Sequence, residues 1–78
     1  MKTLREFLND KRDAYFGKDI LIALLDSKSK YIFEFYFDEG YENEWDLSSL
    51  LDRNVIDWFL DDYCCDVICV KIDYARAL

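Results

Sequence analysis

The chain contains no histidine and no proline, and only two glycines in 78 residues. Without histidine it lacks the side chain that most often serves as general base and metal ligand near neutral pH. Without proline and with little glycine it has few of the residues that punctuate long loops. There are three cysteines, Cys64, Cys65 and Cys69. That number is odd, and two are adjacent, a spacing that a disulfide bridges only with strain. Reduced thiols in a reducing compartment are therefore expected. The set lacks the paired CxxC spacing of a structural zinc site. The longest uncharged apolar run, Ile20 to Leu25, falls far short of the roughly 20 residues a membrane span needs. The N-terminal stretch, with Lys2, Arg5 and Glu6, has no apolar signal-peptide core. A soluble protein of the cytoplasm is the expectation.

What is present is acid and aromatic. Lys plus Arg number 10 against 17 Asp plus Glu, a net charge of −7, while apolar residues make up 53% and aromatics 18%. The apolar share excludes a disordered tail. The length fits a single domain spanning residues 1–78. The negative balance disfavours direct contact with nucleic acid or an anionic membrane and favours a partner with a basic surface.

Thr3 and Glu6 have the spacing of a capping box. Leu4, Phe7, Leu8 and Tyr15 then recur at helical intervals, which predicts a helix over about residues 4–15 that ends at Gly17. The apolar run from 19 to 26, a polar turn at Ser27–Lys30, and the alternation Tyr31, Phe33, Phe35, Phe37 predict an antiparallel hairpin over 19–38. Those four aromatics are expected to face inward, leaving Ile32, Tyr36, Val55, Phe59, Val67 and Cys69 on a half-apolar outer face. Asp46 is placed to cap a short helix with Leu47, Leu50 and Leu51 on one side. Residues 55–60 are β-branched and aromatic and favour a strand. A helix continuing to Tyr63 is the alternative. Val67 to Tyr74 alternates and closes the sheet. The fold class is α+β: a small antiparallel sheet with two helices on one face. The order is αββαββ, with four strands, or αββαβ, with three, if the helical alternative holds.

The acidity is polarised along the chain. Residues 31–78 hold only Arg53, Lys71 and Arg76 against twelve acids. They concentrate in the 38–46 loop, with Glu39, Glu42, Glu44 and Asp46 beside Tyr41 and Trp45. A second group, Asp57, Asp61, Asp62 and Asp66, surrounds Tyr63. Aromatic residues interleaved with charge have the composition of a binding surface. These eleven residues form the candidate partner-binding set. Carboxylates two apart on a strand lie ~6.8 Å apart, twice the ~3.4 Å per-strand charge rise of duplex DNA. Glu34 with Asp38, and Asp57 with Asp61, are candidates for a phosphate-like track. The aromatic stripe of residues 31–37 lacks the basic surround of an RNA-stacking sheet, and core packing accounts for it. No nucleophile, phosphate loop or Gly-rich cradle accompanies the acids, so no catalytic site, metal or cofactor is expected.

The segments Thr3-Leu-Arg-Glu-Phe-Leu8, Leu50-Leu-Asp-Arg-x-Val55-Ile-x-Trp58 and Val67-Ile-Cys-Val-Lys-Ile72 resemble the layout of short proteins of phages and integrative elements of gut anaerobes. As a class, such small acidic proteins resemble the anti-CRISPR inhibitors. The resemblance implies a non-enzymatic inhibitor in the host bacterial cell. It would occupy the basic nucleic-acid-binding groove of a CRISPR effector or surveillance complex, in the manner of a DNA mimic. The competing expectation is a homodimeric accessory or antitoxin-like module of a mobile element that uses the half-apolar sheet face.

Overall fold

The computed structural model describes residues 2–43, 45–61 and 66–75, and the side chains of Trp45 and Asp46 lie outside that set. Helix α1 runs from Leu4 to Tyr15, as the periodicity predicts. Its N-terminus carries the full capping box. The Glu6 N–H donates to Thr3 Oγ1 at 3.2 Å, and the Thr3 N–H donates to Glu6 Oε1 at 3.0 Å. Beyond its C-terminus, Gly17 adopts φ +74, the left-handed conformation that a Cβ disfavours. The Gly17 N–H donates to the Phe37 carbonyl, which ties the helix end to the sheet.

The strands are β1 (Leu21–Leu25), β2 (Tyr31–Tyr36), β3 (Val55–Leu60) and β4 (Val67–Ile72). β1 and β2 form the expected antiparallel hairpin. Its turn is held by the buried Asp26, whose Oδ1 accepts from the N–H groups of Lys28 and Lys30, each at 2.9 Å. Residues 55–60 form a strand, so the helical alternative does not form.

Three expectations need correction. First, the sheet is mixed, not antiparallel. Its order is β2-β1-β4-β3, and β1 and β4 run parallel at its centre. β4 is therefore a central strand and does not close the sheet. The composition explains the placement. LIALL and VICVKI carry one charge between them and are the strands best suited to burial on both sides. The strands bearing Glu34 and Asp57 take the edges. Second, the second helix reduces to one helical turn, Trp45–Ser48, after a 3-10 turn at Tyr41–Asn43, so α1 is the sole helix of any length among the described residues. Leu47, Leu50 and Leu51 are buried all the same. Third, the aromatic stripe is only partly inward. Phe35 and Phe37 are buried and Phe33 half-buried, but Tyr31 is 53% exposed. A register shift at Leu24/Leu25 carries the start of β2 off the core face.

The core lies between α1 and one face of the sheet. Leu4, Phe7 and Leu8 pack with Ile22, Leu24, Phe35, Ile68, Val70 and Ile72. Of the residues expected outward, Ile32 and Val55 pack against this cluster. Removing the Phe35 ring should cost about 3–5 kcal/mol, whereas Tyr31→Ala should fall within about 0.5 kcal/mol of the parent. Urea denaturation of the two variants checks this. A second expectation concerns pH. The capping hydrogen bonds hold the Glu6 carboxyl below its ordinary pKa, chiefly through the Thr3 N–H. The folded state thus prefers ionised Glu6. Its contribution is complete above the ordinary glutamate pKa and is lost as pH falls through the lowered folded-state value. Glu6→Gln, which removes the titrating carboxyl, should flatten that part of the acid-stability curve, read from melting temperatures between neutral and acidic pH.

Candidate binding surface

The register fixes which segments share an end of the sheet. Leu21 pairs with Tyr36 and Val67, and Leu60 pairs with Ile68. The start of β1, the end of β2, the end of β3 and the start of β4 therefore meet at one end. Asp19, Asp38, Glu39, Asp61 and Asp66 flank these positions. The Tyr41–Asn43 turn adds Glu42, since the Tyr41 N–H donates to the Asp38 carbonyl. Two acidic segments far apart in sequence are thus brought to one end, where Arg12 lines a pocket with Glu39 and Glu42. The opposite end carries Lys28 and Lys30 in the β1–β2 turn, with Lys2 and Arg53 beside the start of β3. Asp52 at that end meets Arg5 at 3.5 Å. The charge is uneven along the strands: acids predominate at one end, while at the other the basic residues are interleaved with acids, Lys2 paired with Asp10, Arg5 with Asp52, and Asp73 following β4.

Of the sequence-derived set, Glu39, Glu42, Asp57 and Asp66 are exposed and Asp61 is half-buried. Asp57 sits on β3 at the sheet edge, away from the acidic end. Tyr41 is half-buried. Its ring stacks on Phe35 with centroids 5.8 Å apart and meets Phe37 edge-on at 5.3 Å. Burial, then the Glu42 carboxylate, pushes its hydroxyl pKa up. Most of its ring therefore serves packing. Glu44, Asp62 and Tyr63 lie outside the described residues. The helical turn opens at Trp45, so Asp46 lies inside it and not at the cap position expected from the sequence.

The phosphate-like track does not form as one row. Glu34 and Asp38 belong to the β2 side and Asp57 and Asp61 to the β3 side, three strand spacings or about 14 Å apart. Among the described residues no helix covers the sheet face away from α1, which is half-exposed. Cross-strand pairing puts Ala23, Glu34, Cys69 and Phe59 in one row there. Phe59 is 51% exposed and Tyr36 56%. Cys69 is a free thiol whose pKa is raised by burial and then by Asp61.

Sequence reasoning missed a groove of about 300 Å³ between α1 and the outer edge of β3. Phe7, Lys11, Val55, Ile56, Asp57 and Trp58 line it. The Lys11 ammonium lies 4.2 Å from the Trp58 ring centroid, and Phe7 meets the same indole edge-on at 5.5 Å. The amphipathic pattern of α1 and the exposed composition of β3 were both visible. Their juxtaposition required the strand order.

Comparison with known protein families, with curated proteins and with solved structures finds no match. No helix among the described residues is long and apolar enough to cross a membrane.

The raised pKa gives a chemical expectation for Cys69. In a Cys64→Ser/Cys65→Ser background, Cys69 should react with a thiol reagent more slowly than a free cysteine at the same mildly alkaline pH, because the thiolate is the reacting form. Asp61→Asn should speed the reaction. Absorbance-monitored labelling rates measure both.

Proposed function

We propose that the chain is a non-enzymatic binding protein of the anti-CRISPR kind, which sets its acidic end against a basic nucleic-acid-binding groove of a CRISPR effector or surveillance complex. The observation that carries this reading is the gathering of Asp38, Glu39, Glu42, Asp61 and Asp66 at one end of the sheet, with the lysines of the β1–β2 turn at the other. A molecule polarised in this way is oriented by a basic groove as it approaches, and the field that orients it also speeds association. Inhibition follows from occupancy. With its acidic end in the channel, the protein excludes nucleic acid by volume and by charge. The partner is a protein of the host bacterial cytoplasm, and neither nucleic acid nor membrane is contacted directly.

A second reading draws on a separate observation. The sheet face away from α1 exposes Phe59 and Tyr36 with Cys69 between them in the sheet, a surface suited to a second copy in a homodimeric accessory or antitoxin-like module. A solution mass equal to one chain at micromolar concentration counts against it.

The test is inhibition of DNA binding by a panel of purified effector and surveillance complexes, at low and high salt. Inhibition should weaken steeply with salt, because the attraction is screened over ~8–10 Å. Reversing Glu39, Glu42 and Asp66 to Lys should weaken it mainly through slower association, with the fold intact because exposed acids add little to stability. Lys28→Glu and Lys30→Glu at the far end should change little. Acidic reversals that inhibit like the parent overturn the reading.

A further inference from the structure

Exposed apolar side chains are concentrated on β3. Ile56 is 45% exposed, Trp58 36%, Phe59 51% and Leu60 43%. They lie on both faces of the strand. Trp58 meets Phe7 of α1 and Leu60 pairs with the fully buried Ile68, so both belong to the helix face, while Phe59 pairs with Cys69 on the opposite face. A layer stacked on one face of the sheet would cover only part of this set. A neighbour in the plane of the sheet, alongside β3, would cover all of it.

The backbone is arranged for such a neighbour. The Asp61 N–H is directed inward to the Val67 carbonyl. By the alternation of a strand, Leu60 and Trp58 then direct their N–H and C=O groups outward. The Trp58 N–H is instead held by Asp57 Oδ1 at 2.8 Å. At the start of β3 the outer edge already accepts a strand. The Val55 N–H donates to the Lys2 carbonyl, the Leu4 N–H donates to the Arg53 carbonyl, and Thr3 and Asn54 form an antiparallel bridge. The edge from Trp58 to Leu60 continues that line, with the α1–β3 groove beside it.

We propose that this edge takes an extended segment of the partner protein as a fifth strand, whose side chains alternate between apolar and basic. The inference deepens the function proposed above and rests on it for the partner's basic character. Apolar side chains of the segment enter the groove against Trp58, Ile56 and Phe7. Basic ones lie on the other face near Asp57 and Asp61, across the Phe59 ring. Charge decides against a second copy as the occupant. An antiparallel β3–β3 pair centred on Phe59, which uses the outward groups of both Trp58 and Leu60, sets Asp57 of one copy opposite Asp61 of the other. Like charges directly opposite are destabilising. A basic strand turns the same acids into attraction.

The probe is a fluorescein-labelled, end-capped peptide alternating Arg and Val over eight residues, titrated into the full chain and followed by anisotropy. The alternating peptide should bind at least ten-fold more tightly than a block peptide of four Arg followed by four Val. In a strand, all Arg amides point to one edge and all Val amides to the other. N-methylating one set should therefore cost at least ten-fold in affinity, and methylating the other should leave it near the parent. Phe59→Lys, a change at an exposed side chain, should weaken binding at least ten-fold, and Tyr36→Lys on the opposite edge should not. The proposal is overturned if the block peptide binds equally, if the two methylated peptides do not differ, or if Tyr36→Lys rather than Phe59→Lys weakens binding. Absence of peptide binding while the acidic-end reversals still relieve inhibition of the effector removes strand addition alone. Peptide binding of the expected pattern with no effector inhibited supports strand addition and removes the effector reading.

Discussion

The parallel contact between β1 and β4 is the constraint on which the other elements depend. Ile22 beside Ile68 and Leu24 beside Val70 form a block of fully buried aliphatic side chains at the centre of the sheet. Leu4, Phe7 and Leu8 of α1 close over it. A small domain has little apolar surface to bury, so its two least charged strands take the centre, where both neighbours are strands. Once they do, the strands carrying Glu34 and Asp57 take the edges. The chain must then cross from one edge to the other between β2 and β3. The 3-10 turn, the single helical turn and the buried Leu47, Leu50 and Leu51 form that crossing.

The same constraint sets the electrostatics. Parallel pairing of β1 with β4 places the entry of both strands at one end, so Asp19 and Asp66 arrive together there. The two hairpin partners bring in Asp38 and Asp61 from the other direction. The polarity along the strands is therefore a product of topology acting on acidic turns. Lys28 and Lys30 occupy the turn at the other end because their backbone N–H groups are bound by the buried Asp26.

Among the described residues one long helix packs on a four-stranded sheet, and its cover is incomplete. α1 reaches β3 through Phe7 and Trp58, with Lys11 above the indole, and leaves an open groove along the outermost strand. The acidic end and the apolar edge adjoin at Leu60–Asp61. One partner surface, basic with an extended apolar segment at its border, can engage both.

Much of this was legible in the sequence. The Thr3–Glu6 spacing, the 3.6-residue apolar period to Tyr15 and Gly17 determined α1 and both its ends, because capping and left-handed backbone are local chemistry. The alternation in 31–37 and the β-branched composition of 55–60 determined the strands for the same reason. Composition alone placed the acids in turns. Strand order and direction were not legible, since a parallel contact between residues 21–25 and 67–71 is fixed by which strands bury best together and leaves no periodic trace. Alternation points Tyr31 inward because a register shift leaves no trace in it, and Leu47, Leu50 and Leu51 suggest a longer second helix although three buried leucines need only a turn to point the same way. The acidic end, the groove between α1 and β3 and the outer edge at Trp58–Leu60 join residues remote in sequence. Only the packing of the central pair decided that they should meet.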